Sequence, residues 1–293
     1  MSVDVEDYFQ VSAFDRVVSR AGWDTFDGRV VRSTERILEL FEAVRVRATF
    51  FVLGWVADRH PALVRLIARS GHEIASHGYH HQLLYMLTPQ QFRDDVRAAK
   101  AVLEDTTGER VLGFRAPSYS LISSTFWAVD ILIEEGYIYD TSIFPIHHDR
   151  YGIPGAPRHV HRIDRPGGGL IEMPASTVRL GRLNFPIAGG GYFRLLPYAW
   201  TRWGIGRVNR RERQPVIFYL HPWEVDPDQP RLRVGPATRM RHYGGLTRTA
   251  LRLKRLLKEF SFDSVASILK LESQESKDRV AYAPVTLSLA AQE

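Results

Sequence analysis

Short apolar runs of strand length alternate with amphipathic stretches along most of the chain. The run 47–53, Arg-Ala-Thr-Phe-Phe-Val-Leu, shows no alternation of polar positions, so it reads as a strand buried on both faces. Shorter runs at 73–76, 111–114, 137–139, 170–173 and 216–220 read the same way, as does the opening segment around Val3 and Val5. Between them, residues 33–44 carry Ile37, Leu40, Phe41 and Val44 at helical spacing. Residues 61–69 predict a helix with Pro61 in its first turn and Gly71 near its stop. Thr88-Pro89-Gln90-Gln91 is a capping box that opens a helix running to about residue 104. Residues 124–135 predict a helix stopped by Gly136. Leu246, Ala250, Leu253, Leu257 and Phe260 predict a last amphipathic helix over 247–260. The stretch 145–169, rich in Gly, Pro and His, reads as a long loop, and the chain beyond about 270 as a weakly ordered tail.

Alternating strands and helices imply a parallel sheet with helices outside it. Asp4, His77, Arg115, Asp140 and His221 each fall just past the carboxyl end of a predicted strand. A closed barrel brings those ends to one mouth, where catalytic groups collect. An open doubly wound sheet is disfavoured, because no Gly-rich phosphate loop follows the first strand.

At 44% hydrophobic residues there is material for a large core. The lack of cysteine excludes disulfides, thiolate metal sites and a cysteine nucleophile. No apolar run approaches the ~20 residues that cross a bilayer, and no signal-peptide pattern opens the chain. The sequence therefore reads as soluble and cytoplasmic, with a periplasmic or membrane-associated location as the alternative. A strand this close to the first residue suggests a natural start further upstream. The net charge is +6, and residues 201–260 hold 14 Arg and Lys against 5 Asp and Glu. That stretch invites an anionic polymer or membrane headgroups. Its basic residues are interleaved with core-spaced apolar ones, so a solvated face with no nucleic-acid partner is preferred.

The chemistry concentrates in two segments. Asp4, Glu6 and Asp7 end the first strand, and His77 and His81 stand four apart around Gly78. Two imidazoles and a carboxylate suit a divalent metal with one position left for water. One carboxylate binds the ion and another takes the proton of the water. Strand alternation puts Asp4 and Glu6 on one face and leaves the ligand open between Glu6 and Asp7. His80 reads as a hydrogen-bonding histidine. Arg115 suits a bidentate hold on a carboxylate, and Asp140 the orientation of a histidine. His221, with an ordinary pKa of ~6.5, can give a proton to a leaving group. Trp223 beside it offers an apolar face to a sugar ring.

Together these residues resemble the polysaccharide deacetylases of carbohydrate esterase family 4. The resembling features are the acidic group Asp4-Val5-Glu6-Asp7, the pair His77 and His81, and the Arg-x-Pro motif of Arg115 and Pro117 with Tyr119 nearby. Asp140 and the late strand-end His221 complete the set, in order over residues 2–225. The Asp-Val-Glu-Asp-Tyr-Phe start and the Leu-His-Pro-Trp-Glu segment are similar to a branch associated with exosortase-linked exopolysaccharide clusters. The resemblance implies a distorted (β/α) barrel of about seven parallel strands with helices outside. It implies a divalent metal, usually zinc, and hydrolysis of N-acetyl groups from an amino-sugar polysaccharide or its lipid-linked precursor. It implies Asp4 as base, held by Arg115, and Glu6 or Asp7 with His77 and His81 as metal ligands. His221 becomes the acid, oriented by Asp140, and Pro117, Tyr119 and Trp223 the substrate contacts, with a backbone N–H near Tyr119 as oxyanion donor. The adjacent Asp-Asp usual in the family is replaced here by Asp-x-Glu-Asp. A register with Glu6 as base and Asp7 as ligand therefore stands beside the first.

On this reading residues 1–270 are one barrel domain, with 226–270 an extension packed on it and 271–293 a tail. The rival readings are a small-amide hydrolase on the same barrel, a catalytically silent glycan-binding module, and an anion-binding protein with a structural metal. The sequence sets no oligomeric state.

Overall fold

The computed structural model describes residues 1–271. Beyond its first residue, the expected tail at 271–293 lies outside the described residues. Ten strands are described: β1 (Ser2–Val5), β2 (Thr49–Val52), β3 (Glu73–Ser76), β4 (Gly113–Phe114), β5 (Tyr139–Asp140), β6 (His161–Arg165), β7 (Gly168–Glu172), β8 (Thr177–Leu180), β9 (Leu183–Pro186) and β10 (Tyr219–Leu220). Eight of them form one sheet in the order β10-β1-β2-β3-β4-β5-β7-β6, curled into a half-barrel with helices around it. The pairings from β10 through β7 are parallel, so seven strands point one way. The eighth, β6, folds back antiparallel on β7. β1 and β2 are buried throughout; β2 shows it in its unbroken apolar run, whereas β1 alternates, with Ser2 and Asp4 buried on the face that Arg115 reaches.

The helices follow the apolar spacing with shifted ends. Val30–Glu42 buries Ile37, Leu38 and Phe41 against the sheet. Pro61–Arg69 stands where the pattern put it. Pro89–Thr107 opens on the expected box, with Thr88 accepting from the Gln91 amide and Gln91 from the Thr88 amide. Leu246–Glu259 lays Leu246, Leu253, Leu256 and Leu257 into the core. The expected helix over 124–135 is a turn, Ser123–Thr125, followed by the helix Ala128–Glu134.

Two expectations need correction. The expected loop at 145–169 contains β6 and the start of β7. β6 is an edge strand whose His161 and Ile163 face inward while Arg162 and Asp164 face out. Its polar half, followed by Pro166-Gly167, hid it in a reading based on apolar runs. Asp4 and Asp140 lie within β1 and β5 rather than past their ends; Asp4 still lines the cleft, whereas Asp140 does not.

The sheet edge at β10 is closed by backbone. Gly189 bridges to Tyr219 with φ +121, and a Cβ there would stand 2.0 Å from the Tyr219 carbonyl oxygen. Only glycine fits such an approach.

Candidate active site

The carboxyl ends of β1 and β3 bring three ligand-type side chains together. Glu6, His77 and His81 are buried and offer donor atoms that all lie within 4.8 Å of one another. His77 leaves β3 directly, and its Nδ1–H donates to the Arg115 carbonyl at 2.9 Å. A carbonyl only accepts, so this bond fixes the tautomer and leaves Nε2 as the lone-pair atom. The turn to His81 is tight: Gly78 sits at φ +74 and His81 itself at φ +52. Asp95, on the helix Pro89–Thr107, holds that turn by accepting from the Tyr79 amide at 2.8 Å. A buried non-glycine residue in the left-handed region stores strain that marks a constrained position. His80 points outward beside Asp95, as expected.

Glu6 Oε2 stands 2.7 Å from His81 Nε2, yet it has no aligned hydrogen-bond partner, and neither does His81 Nδ1. Burial works against the ionised form of Glu6, but His81 and His221 outweigh it and bring its pKa down to about 2. Burial pushes the His77 imidazole down to about 4. An ionised carboxylate and a neutral imidazole are the states that bind metal. The orphaned oxygen, the free Nε2 of His77 and the His₂-carboxylate set fit a divalent cation with an open position.

Asp7 does not join this group. Its Oδ1 accepts from the Tyr8 amide at 2.8 Å, and its Oδ2 from the Arg29 and Val30 amides at 2.6 and 2.9 Å. It caps the helix Val30–Glu42 from a distant segment, which explains why that helix starts ahead of the expected 33. The expectation of Asp7 as a metal ligand is therefore corrected. Asp7→Ala should leave metal content unchanged while lowering stability by about 1–3 kcal/mol, because buried amides lose their acceptor. Urea unfolding of both proteins checks this.

Asp4 lies beside the cluster, held from below. Arg115, wholly buried, reaches Asp4 Oδ1 with Nη1 at 2.5 Å, the Ser2 hydroxyl at 3.0 Å, and the Thr141 hydroxyl with Nε at 2.8 Å. The Arg115 guanidinium also stacks over Phe51, 4.1 Å from the ring centre. Asp4 Oδ2 looks toward His221 Nε2 at 3.9 Å.

His221 is oriented by a residue other than the expected one. Its Nδ1–H and its backbone N–H both donate to Glu224 Oε1, at 2.7 and 3.0 Å. Glu224 Oε2 in turn accepts from Arg194 Nε at 2.6 Å. Arg194 spends its other donors on the carbonyls of Arg241, His242 and Gly244. Burial lowers the pKa of His221, but the carboxylates of Glu6, Glu224 and Asp4 raise it to about 9. Asp140 is elsewhere: its Oδ1 accepts from the Ser142 hydroxyl at 2.5 Å, and that hydroxyl oxygen accepts from the Ala116 amide at 2.7 Å. Burial raises the pKa of Asp140, and Glu172 beside it is pushed well above the usual carboxylate range. The two acids brace the segments after β4 and β5, Asp140 through Ser142 and Glu172 by accepting from the Ile143 amide at 3.0 Å. The expectation that Asp140 orients His221 is corrected to Glu224. Its signal was present in the sequence: a carboxylate three residues after a histidine across a proline turn.

The remaining expected contacts divide. Asp4, Glu6, His77, His81, Tyr119 and His221 line one cleft of about 200 Å³. Trp223 also touches it, but it is buried, with His221 and His242 stacked on its ring at centroid distances of 5.0 and 4.2 Å and Arg194 over it at 5.1 Å. Its indole N–H donates to Glu6 Oε1 at 3.2 Å. So buried a ring offers no open face to a sugar, and Trp223 supports Glu6 and His221 instead. Pro117 is buried and does not line the cleft. The Tyr119 amide donates to the Ala116 carbonyl at 3.0 Å, which takes that N–H from the oxyanion role expected near it. Tyr119 and Ser118 adopt φ +55 and +52, a second strained turn at the cleft.

Residues 19–132 match a family model described as polysaccharide deacetylase. Residues 141–270 match one described as a domain of unknown function, DUF3473. A peptidoglycan deacetylase-like protein of Gibberella zeae is 36% identical over 120 residues, covering 40% of this chain and 34% of that protein. A peptidoglycan deacetylase of Helicobacter pylori is 29% identical over 114 residues, covering 39% and 37%. The chain thus spans little more than a third of these relatives' length. A solved structure from Mycobacterium smegmatis, described as a "putative polysaccharide deacetylase", covers 98% of this chain and 93% of its own, with a TM-score of 0.62 and 20% identity. Puue allantoinase follows at TM-score 0.55 and 20% identity, covering 80% and 70%. At that identity both show a shared fold. The first matched segment holds His77, His81 and Arg115, and the second holds Arg194, His221 and Glu224.

Proposed function

We propose that this chain, which carries a polysaccharide deacetylase domain, is a metal-dependent hydrolase that removes N-acetyl groups from the amino sugars of a polysaccharide or its precursor. One observation carries the reading. The cluster Glu6–His77–His81, the Arg115-held Asp4 and the Glu224-held His221 all open on one cleft. Glu6, His77 and His81 would hold the cation. A divalent cation there, zinc being the ordinary match for two imidazoles and a carboxylate, supplies Lewis acidity to an acetamide carbonyl and acidity to a water.

The protein's own groups do the rest. Asp4, outside the cluster and locked by Arg115, accepts the proton of the attacking water. His221 holds a proton at Nε2 and gives it to the departing sugar nitrogen, because an amine leaves poorly unless protonated. Glu224 keeps the His221 tautomer and steadies its positive form, as a buried carboxylate does for a catalytic imidazole. The products are acetate and a free amino sugar.

We also read residues 1–270 as one barrel domain. β10 pairs with β1 and β7 with β5, so neither matched segment holds the whole sheet.

The test is acetate release from a panel of N-acetylated oligosaccharides, after chelation and after adding back zinc. Metal-restored turnover is expected. His77→Ala and His81→Ala should each lose bound metal by elemental analysis. Full metal in both variants would remove the cluster from the reading. Metal without turnover on any glycan would leave a silent binding module.

A further inference from the structure

The hairpin of β8 and β9 carries apolar side chains that the core does not use. In its register Val178 faces Phe185 and Leu180 faces Leu183, so these four share one face of the ribbon. Val178 is buried, but Phe185 is 36%, Leu180 39% and Leu183 55% exposed. The apolar face therefore runs outward past the core toward the turn. The helix Tyr198–Arg207 extends it. Trp200 donates to the Pro186 carbonyl at 3.0 Å, and its ring lies 6.2 Å from Phe185 and 5.2 Å from Trp203. Trp203 is 41% exposed. Leu196, Pro197, Ala199, Trp200 and Trp203 line an open groove of about 410 Å³ beside it.

Cations rim this patch. Arg207 sits over the Trp203 ring at 5.8 Å. Arg182 stands in the hairpin turn, and Arg210 and Arg211 follow the helix; all three are exposed. Among the described residues none of the three makes an ion pair with a carboxylate. The nearest acids are engaged, Glu212 by Arg158 and His159 and Glu259 by Arg202 and Arg255.

We propose that this patch docks the protein on an anionic bilayer surface. The two tryptophans would sit at headgroup level, Leu180 and Leu183 at the acyl boundary, and the free arginines on the lipid phosphates. Charge complementarity and side-chain type choose this occupant. A sugar surface would ask for hydrogen-bonding groups beside the aromatics, whereas the most exposed member here is the aliphatic Leu183. The hairpin springs from the carboxyl end of β7, the end at which the cleft opens. Asn184 also donates to the Pro145 carbonyl at 2.8 Å, in the loop that brings Tyr151 to the cleft. Docking would thus hold the cleft beside the lipid surface, and this does not depend on the catalytic reading.

The test is flotation of the full chain with phosphatidylcholine vesicles, with and without about a third phosphatidylglycerol. Binding is expected only with the anionic lipid, falling as salt rises. The double variant Leu183→Ser, Trp203→Ser should bind about tenfold more weakly. Arg182→Glu with Arg210→Glu should do the same. Both should keep wild-type far-ultraviolet circular dichroism. Flotation unaltered by both double variants would overturn the proposal, as would no flotation of the wild type. Retention by a soluble acidic glycan without flotation would give the arginines to a polymer. A dimer that the Leu183→Ser, Trp203→Ser variant dissociates in sedimentation velocity would give the apolar face to a second copy. Either result overturns the bilayer assignment.

Discussion

Asp4→Asn should keep its metal and lose about 10²–10⁴-fold in kcat, with KM little changed. Asp4 stands outside the Glu6–His77–His81 group yet lines the same cleft. Asparagine has its shape but cannot take a proton, so only the base function is removed. Glu6→Gln should behave in the opposite way and empty the site, since Glu6 supplies the group's one carboxylate. There is a structural cost to separate from the chemical one. Arg115 is wholly buried, and stripping one partner from a buried ion pair costs about 3–5 kcal/mol. The Ser2 and Thr141 hydroxyls still accept from the guanidinium in the variant. Thermal unfolding should therefore be run beside the kinetics, and activity read well below the new midpoint. The decisive pair of numbers is metal per chain and kcat, measured for both variants after chelation and reloading. An empty Asp4→Asn protein beside a loaded, inactive Glu6→Gln protein would assign the base to Glu6.

What was legible in the sequence was local, and what was hidden was made by contacts between distant segments. His77 and His81 were readable because a strand end and a glycine turn place them within five residues of each other. The parallel sheet was readable because strands such as β2 are buried on both faces and show it in an apolar run, with helices spaced between the strands. The choice between Glu6 and Asp7 stayed open in the sequence because the helix that Asp7 caps begins 23 residues further on. Nothing near Asp7 announces that its oxygens are already taken by three amides. Trp223 hides its place for a similar reason: an aromatic beside a catalytic histidine looks free until the distant His242 stacks on its ring. The edge strand β6 was missed because half of its residues face solvent and carry charge. Glu224 takes the orienting role expected of Asp140, an exchange whose local sign was the carboxylate three residues after His221. A strand residue points with the pleat, and Asp140 points to Ser142 and Glu172.

That exchange leads to the second large expected effect. His221→Ala should bind metal and substrate normally and lose about 10²–10⁴-fold in kcat on N-acetyl sugars. The loss should depend on the leaving group. An amine must be protonated to depart, whereas a nitrophenolate need not be, so 4-nitrophenyl acetate should be hydrolysed by the variant at close to the wild-type rate. A metal-site defect would slow both substrates alike, which makes the ratio of the two rates the informative quantity. Glu224→Gln tests the orienting arm. The variant can still meet the backbone N–H of His221, but it no longer offers a charge to the imidazole or to Arg194. Its kcat on the amide should fall about 10–10²-fold, again with the aryl ester spared, because it acts through His221. Asp140→Asn should not share that leaving-group pattern. Asp140 braces the Ala116 amide through Ser142, so any loss there should reach amide and ester equally. Equal losses on amide and ester in Glu224→Gln, or a leaving-group dependence confined to Asp140→Asn, would return the orienting role to Asp140 and leave Glu224 a structural partner of Arg194.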